Sequence, residues 1–306
     1  MERPLLIAIQ GPTASGKTTA SIELAKFFNT EIISCDSRQF FKELKIGAAP
    51  PSAQELAEVP HYFIQHITIK TDYNAGAFER DAIKRVEQLF EKHKVLFMVG
   101  GSGLYANAVM YGFDDLPKAN LQLRVALQNQ LEEQGIESLQ RLLEEKDPAY
   151  FKVVDRDNAH RLIRALEVIE QTGRPFSELR SSTKSQRSFD VLNLVMDLPR
   201  EVLYERINAR VDIMMAEGLE EEARNLLSFR HLQPLNTVGY KELFNFFDGA
   251  IMREEAVNLI KQNSRRFAKR QLTWLRRDKN ALWINPSNIE EMKSVILNKL
   301  KSANQE

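Results

Sequence analysis

The chain has little of what marks a secreted or membrane protein. It contains a single cysteine, Cys35, so no disulfide can form within it, as is usual in a reducing cytoplasm. No apolar run approaches the roughly 20 residues that span a bilayer, and no signal-peptide pattern is visible. The 42 Lys and Arg residues are balanced by 42 Asp and Glu residues, so net charge alone does not favour nucleic acid. We therefore expect a cytoplasmic globular protein with no membrane partner.

The most informative motif is G-x-x-x-x-G-K-[ST], which reads GPTASGKT at residues 11–18. An apolar strand pattern precedes it and a helical pattern follows it, as a phosphate-binding loop requires. In such a loop the glycines let backbone N–H groups point at phosphate, the lysine adds charge, and the final hydroxyl can ligate Mg²⁺. We predict a phosphate or diphosphate site, with Thr18 as the ligand of a Mg²⁺ cofactor. Its residues are Gly11, Pro12, Thr13, Ala14, Ser15, Gly16, Lys17 and Thr18.

Hydrophobic patterning divides the chain into three stretches. Over residues 1–116, apolar runs alternate with helical periodicity, which predicts an α/β core with a parallel sheet flanked by helices, like that of phosphate-loop (P-loop) NTPases. Residues 117–188 contain only charged amphipathic helical patterns, so we expect an inserted all-helical domain there. A strand returns at 191–198, and helices are expected to fill the rest of 189–306 as a helical C-terminal region.

Two other strand ends carry candidate chemistry. The 31–34 run is followed by Asp36, Ser37, Arg38 and Gln39; a carboxylate there could act as a base, or Asp36 could merely cap a helix. The 94–99 run ends in GGSG rather than in the acidic residue expected of phosphate-loop hydrolases, which disfavours an ATP-driven motor. The glycines indicate close approach of a bulky group.

Positive charge is concentrated in one segment of this neutral chain. Residues 261–279 hold eight Lys or Arg residues against one acid, which suits RNA phosphates. Trp274 within it could stack on a base or pack in the core. Two further cationic groups, at 160–164 and at Arg206 and Arg210, could bind anions or simply form solvated, salt-bridged helix faces.

Taken in order, these motifs closely resemble those of the bacterial tRNA dimethylallyltransferases (IPP transferase family). The matching segments are GPTASGKT, DSRQ, YNAGAFERDA at 73–82, GGSGLY, HRLIRALEV at 160–168, TVGYKE at 237–242 and AKRQLTWLR at 268–276. The resemblance implies transfer of a dimethylallyl group from its diphosphate to the N6 amine of the adenine next to the anticodon on its 3′ side (position 37). The tRNAs concerned read codons that begin with U, and diphosphate is released.

The resemblance also implies residue roles. Asp36 would be the catalytic base, Thr18 would assist the leaving group, and Arg210 would join the diphosphate site. The partners would be dimethylallyl diphosphate and the anticodon stem-loop of tRNA, and we expect a monomer. The residues implied to bind tRNA are Asp36, Ser37, Arg38, Gln39, Ser102, Arg124, His160, Arg161, Leu162, Ile163, Arg164, Gly239, Tyr240, Lys241, Lys269, Arg270, Gln271, Trp274 and Arg276.

The chain departs from the family pattern at 46–51, which reads IGAAPP where IGTAKP is usual. Ala48 and Pro50 therefore remove a hydroxyl and a charge near the expected RNA side. Three alternatives remain open: an adenylate isopentenyltransferase acting on free AMP, ADP or ATP, a phosphate-loop small-molecule kinase, and a nucleotide-gated RNA-binding protein. The basic segment disfavours the first, the missing acidic strand end disfavours the second, and the third needs hydrolysis machinery that we do not find.

Overall fold

The computed structural model describes residues 3–114, 116–180 and 186–303. They form two compact units: Met1–Met110 with Arg187–Glu306, which we call the core unit, and Tyr111–Gln186, which we call the helical unit. The sequence predicts boundaries at 116/117 and 188/189, and the structure puts them at 110/111 and 186/187. No helix in the described part of the chain is long and apolar enough to cross a membrane.

The core unit is built on one parallel sheet of six strands in the order β3-β2-β4-β1-β5-β6. Every residue of β1 is buried, as expected for a central parallel strand covered on both faces. The strands are β1 (Leu5–Gln10), β2 (Ile32–Ser34), β3 (His61–Tyr62), β4 (Val95–Gly100), β5 (Asp190–Met196) and β6 (Leu282–Ile284).

Helices fill most of the remaining sequence. They are α1 (Lys17–Phe27), α2 (Ala53–Glu58), α3 (Ala75–Phe90), α4 (Gly103–Tyr111), α5 (Leu121–Gln134), α6 (Ile136–Lys146), α7 (Pro148–Phe151), α8 (Ala159–Thr172), α9 (Phe176–Leu179), α10 (Arg200–Ala216), α11 (Leu219–Asn225), α12 (Tyr240–Phe247), α13 (Arg253–Leu275) and α14 (Ile289–Ala303). Short 3₁₀ turns lie at Leu227–Phe229 and Gln233–Leu235.

The strand order places the ends of three strands side by side. β1 lies between β4 and β5, and β4 also pairs with β2, so the carboxyl ends of β1, β2 and β4 are neighbours. Connections leave these strands toward both sides of β1, and such a switch point is where open parallel sheets bind ligands. The phosphate loop, the DSRQ segment and the GGSG segment follow these three strands directly.

Two strands, β3 and β6, were not predicted from the sequence. The expectation of helices alone after the 191–198 strand was wrong, because Leu282–Ile284 pairs with β5 in register Leu194 to Leu282. β3 is only two residues long and pairs with β2. Runs this short carry no alternation that distinguishes a strand from a loop, and they exist because a neighbouring strand offers an open edge.

The helical unit has its own hydrophobic core. Its α8 is amphipathic and buries Leu162, Ile163, Leu166 and Ile169 among apolar side chains of the other helices in the unit. The α8 helix begins after Asn158, whose side chain accepts a hydrogen bond from the Arg161 backbone N–H. This is the usual way in which an asparagine satisfies a helix N-terminus.

Candidate active site

A cavity in the core unit opens where β1, β2 and β4 end. One wall is formed by the phosphate loop and the DSRQ segment. The opposite wall is formed by α10 and α13. Their lining residues are spaced three or four positions apart, so each helix contributes one face. From α10 these are Ile207, Arg210, Val211 and Met214, and from α13 they are Ile260, Ser264, Phe267 and Gln271.

The phosphate loop has the backbone shape that its sequence predicts. Gly16 has φ 88° and precedes the first residue of α1, and Ala14 also has a positive φ of 62°. A Cβ atom on Gly11 would lie 2.8 Å from Ser15 Oγ and 2.9 Å from Met196 Cβ, so only glycine fits there. The Ser15 hydroxyl is buried and has no hydrogen-bond partner. The loop is therefore closely folded and contains a buried hydroxyl whose hydrogen-bonding capacity is unused within the protein.

Three cations, Lys17, Arg38 and Arg210, and one carboxylate, Asp36, line this cavity. Burial lowers the pKa of Lys17 to about 8, although the nearby Asp36 carboxylate opposes that change. Burial likewise lowers the pKa of Arg210, again opposed by Asp36. Lys17 Nζ donates to the Pro12 carbonyl at 2.7 Å and Arg210 donates to the Ala49 carbonyl at 3.2 Å. Neither Lys17 nor Arg210 has a carboxylate within salt-bridge distance among the described residues, so an anion is needed to neutralise them.

Sequence analysis left open that Asp36 caps a following helix. In the structure Asp36 caps a turn instead. Its Oδ1 accepts the Arg38 backbone N–H at 3.1 Å, and its own N–H donates to Ser34 Oγ at 3.3 Å. Asp36 is half-buried and lines the cavity with Thr18. A Cβ on Gly100 would lie 2.7 Å from the Asp36 nitrogen, so the end of β4 packs directly against this turn. The carboxylate is thus held in a fixed orientation inside the site.

Ser102 joins the ends of β2 and β4. Its Oγ accepts the Ser37 backbone N–H at 3.0 Å and lies 3.0 Å from Ser37 Oγ. The two serines therefore lock the DSRQ segment to the GGSG segment, and both line the cavity.

The GGSG glycines make room for α13. A Cβ on Gly101 would lie 2.4 Å from Gln271 Nε2, and one on Gly103 would lie 2.3 Å from the Trp274 ring. The predicted close approach of a bulky group is confirmed, and the group is a helix of the protein itself. Trp274 is half-buried and packs with Val195, Leu275 and Ala281.

The loop that departs from the family pattern is tied down by residues from three parts of the chain. Arg38 donates to the Gly47 carbonyl at 2.8 Å and to the Val238 carbonyl at 3.0 Å. Glu222 accepts the backbone N–H groups of residues 45, 46 and 47 at 2.8, 2.8 and 2.9 Å. The buried Tyr240 hydroxyl also donates to Glu222, at 2.6 Å. We name residues 45–49 the clamp loop.

Glu222 was missed by sequence analysis. It is the last of three consecutive glutamates at the start of α11, a pattern typical of a solvated helix N-terminus. Tyr240 was expected to contact RNA, but it is fully buried and its hydroxyl is engaged, so its role is to support the clamp loop. Gly239 is buried and lines the cavity, whereas Lys241 is exposed.

The remaining RNA-binding expectations divide by exposure. On α13, Lys269 and Arg270 are exposed, and so is Arg276 just after its end, whereas Gln271 is buried. In the helical unit, His160 and Arg161 are exposed. The side chains of Leu162 and Ile163 lie in the core of that unit, 0% and 5% exposed, so we reassign them from RNA contact to packing.

Two arginines of the helical unit meet at one carboxylate. Arg124 and Arg164 donate to Glu167 Oε2 at 2.8 and 2.9 Å. Burial alone would raise the pKa of Glu167, but the hydrogen bonds from the two arginines hold it below its usual value. Arg164 also donates to the Pro117 carbonyl at 2.7 Å. Both guanidinium groups are therefore fixed in place while remaining partly exposed.

Comparisons with known proteins agree on one family. The model of the IPP transferase family matches residues 39–278. The chain is 54% identical to the tRNA dimethylallyltransferase of Christiangramia forsetii, over 91% of this chain and 92% of that one. It is 45% identical to that of Cytophaga hutchinsonii, over 97% of each.

Solved structures show the same likeness. The tRNA isopentenylpyrophosphate transferase of Bacillus halodurans superimposes with a TM-score of 0.74 at 36% identity, over 100% of this chain and 99% of that one. A eukaryotic dimethylallyltransferase acting on tRNA shares the fold, with a TM-score of 0.78 at 24% identity over 92% of this chain and 74% of that one.

Proposed function

The chain belongs to the IPP transferase family, and from that premise we propose that it transfers a dimethylallyl group from dimethylallyl diphosphate to tRNA. The acceptor is the N6 amine of the adenine next to the anticodon on its 3′ side (position 37), in tRNAs that read codons beginning with U. The observation that carries this proposal is the cavity that combines a phosphate loop, the half-buried cations Lys17 and Arg210, and an oriented carboxylate.

The donor diphosphate fits the phosphate loop. Lys17 and Arg210 are half-buried cations without a salt-bridge partner among the described residues, and the loop itself contributes the buried Ser15 hydroxyl, which has no hydrogen-bond partner. Charge that builds up on the departing diphosphate would be stabilised by these groups and by the N-terminus of α1, because such preorganised groups need no rearrangement during the reaction.

In the reaction the adenine N6 attacks C1 of the dimethylallyl group while the C1–O bond to diphosphate breaks. N6 then loses a proton, and we assign Asp36 as its acceptor. Oδ1 of Asp36 is engaged by the Arg38 N–H, so Oδ2 is the oxygen assigned to this role. Thr18 lies in the same cavity and would hydrogen-bond the bridging oxygen of the leaving group. The target base must leave its stack to reach this position.

A Mg²⁺ cofactor would depend on the substrate for most of its ligands. The described residues contain no group of three or more His, Cys, Asp or Glu side chains that could hold a metal ion. The Thr18 hydroxyl fits a Mg²⁺ ion whose other ligands are diphosphate oxygens and water, the arrangement that this ion prefers. When bound, Mg²⁺ would supply charge neutralisation for the diphosphate.

The RNA would follow the exposed cations. Lys269, Arg270 and Arg276 lie near the cavity on or beside α13, whose Gln271 lines it. In the helical unit, His160 and Arg161 are exposed, and Arg124 and Arg164 are fixed by Glu167. The exposed cations of α13 by themselves suit an anticodon stem-loop better than a free nucleotide, which favours tRNA over AMP as acceptor.

The direct test is to incubate the protein with dimethylallyl diphosphate, Mg²⁺ and total tRNA, and to analyse the nucleosides by mass spectrometry. We expect N6-dimethylallyl-adenosine in the tRNA. Parallel reactions contain AMP or ATP in place of tRNA. Prenylated AMP would instead identify an adenylate isopentenyltransferase, and conversion of ATP to ADP without prenyl transfer would identify a kinase or hydrolase. The monomeric state stays a prediction. Size-exclusion chromatography with light-scattering detection would check it by measuring the molar mass in solution.

A further inference from the structure

Resting on the proposed function, we propose that Gln271 is a positioning residue of the diphosphate site and makes no contact with RNA. Its motif neighbours Lys269 and Arg270 are exposed, as RNA-binding residues should be. Gln271 itself is 8% exposed and lines the cavity. The family motif therefore combines two tasks on one helix, which the sequence alone does not separate.

Gln271 connects the phosphate loop with the end of β4. Its Oε1 accepts the Thr13 backbone N–H at 3.2 Å, and its Nε2 donates to the Gly101 carbonyl at 2.8 Å. Thr13 lies inside the loop, between Gly11 and Gly16. A single amide side chain thus fixes one N–H of the loop in a direction set by the neighbouring strand.

The two bonds need an amide at this position. A carboxylate could accept from Thr13 but could not donate to Gly101, and an aliphatic side chain could do neither. The fit is also tight, because a Cβ atom on Gly101 would lie 2.4 Å from Gln271 Nε2. A larger residue at 101 must therefore push the Gln271 amide away from its position.

The consequence is that the phosphate loop takes its shape partly from α13. Removing the amide leaves the Thr13 N–H unpaired in a half-buried site and frees the loop to relax. Loop N–H groups aimed at diphosphate then lose their alignment, which weakens donor binding. The outward-facing cations of α13 are unaffected, since the helix is held by other packing residues such as Ala268 and Leu275.

The test compares binding of two probes to the full chain: inorganic diphosphate with Mg²⁺ by calorimetry, and an anticodon stem-loop RNA by filter binding. The variants are Gln271→Leu, Gln271→Glu and the exposed control Arg270→Gln, each checked by thermal melting. Gln271→Leu should weaken diphosphate binding about tenfold and leave RNA binding within twofold, because two hydrogen bonds are lost. Gln271→Glu keeps the bond to Thr13 but sets a negative charge against the Gly101 carbonyl and beside the anion site, so it should lose at least as much. Arg270→Gln should show the reverse pattern.

A double-mutant cycle gives a second, independent arm. Gly101→Ala should weaken diphosphate binding as Gln271→Leu does, and the double variant should be no worse than either single variant, since both remove the same contact. Steady-state kinetics should show a raised KM for dimethylallyl diphosphate with KM for tRNA unchanged.

The proposal is overturned if Gln271→Leu weakens RNA binding as Arg270→Gln does while diphosphate binding is unchanged. It is equally overturned if both probes lose affinity alike in a variant of unchanged melting temperature, or if neither does. Should Gln271→Leu fail to fold, the Gln271→Glu and Gly101→Ala variants decide by the same criteria. Failure of the wild-type protein to bind diphosphate at all would refute the proposed function instead.

Discussion

Arg210 and Gln39 donate to one carbonyl oxygen, that of Ala49, at 3.2 and 3.1 Å. Arg210 belongs to the proposed diphosphate site and Gln39 to the segment proposed to meet the adenine, so one peptide group of the clamp loop positions residues of both. Ala49 has a positive φ of 43°, which a residue with a side chain adopts only when its surroundings impose it. Glu222 supplies that constraint through the three N–H groups that precede Ala48.

Glu222→Ala should therefore loosen the clamp loop. It leaves three backbone N–H groups and the Tyr240 hydroxyl without their acceptor, which we expect to lower the free energy of unfolding by roughly 1–3 kcal/mol. The KM for dimethylallyl diphosphate should rise with it, since Arg210 loses its fixed partner. Glu221→Ala, at the exposed neighbouring position, is the control for urea unfolding and kinetics. Equal behaviour of the two variants would refute this role for the loop.

Asp36→Asn should slow the chemical step without weakening substrate binding. The amide keeps an oxygen for the Arg38 N–H but cannot take a proton from N6, and a positioned base is worth roughly 10²–10⁴ in rate. Single-turnover measurements with saturating tRNA and donor report this step. A rate within a few-fold of wild type would remove Asp36 from the role of base.

The affinity for diphosphate should depend on the charge of Lys17. Burial lowers the pKa of this amine to about 8, so in the unliganded protein it is cationic below that pH and loses its proton above it. Binding of dimethylallyl diphosphate, followed by calorimetry from pH 7 to 9.5, should weaken as pH rises through 8. Lys17→Arg is the control, because a guanidinium keeps its proton over this range and should give a flat profile. Identical profiles for the two proteins would contradict the assignment.

Arg270→Ala should weaken tRNA binding and make it less sensitive to salt. A phosphate contact releases a counterion, so its loss should reduce the slope of log K against log salt by about one. Lys299→Ala, an exposed cation on α14, should leave both the affinity and the slope unchanged. An unchanged slope in Arg270→Ala would show that this residue does not meet a phosphate.

Leu162→Ala should lower the stability of the protein, whereas Arg161→Ala should weaken RNA binding, although the two residues are adjacent. Leu162 is fully buried in the helical unit, so its truncation should cost about 2–5 kcal/mol of stability. Arg161 is exposed, and its loss should weaken RNA binding with little change in stability. Urea unfolding and RNA binding at 15 °C separate the two. A stable Leu162→Ala variant with impaired RNA binding would restore the RNA role to that residue.

Local motifs predicted the donor side of the site well. The phosphate loop and β1 agree with the structure because their chemistry is contained in fourteen consecutive residues, 5–18, that specify strand, loop and helix start together. The glycines at 101 and 103 correctly predicted a close approach. Their partners could not be named, because Gln271 is 170 residues away from Gly101 and no pattern relates them.

The roles of Glu222, Leu162 and Ile163 could not be predicted from the sequence. The sequence around Glu222 is typical of a solvated helix start. The N–H groups of the clamp loop come close to Glu222 only in the folded chain. Leu162 and Ile163 were carried over with their whole motif, although the helical period places Leu162 opposite the exposed His160. Ile163 lies one turn from His160, so only the structure shows that it is buried. The resemblance to a family identified a functional segment, and the structure was needed to say which side chains of that segment face outward.

The bond between Thr13 and Gln271 spans 258 positions of the chain, which bears on synthesis in the cell. Ribosomes add about 5–20 residues per second, so Gln271 is synthesised some tens of seconds after the phosphate loop. Stalled nascent chains that end before residue 271 should accordingly bind diphosphate at least about tenfold more weakly than chains that expose α13 beyond the exit tunnel.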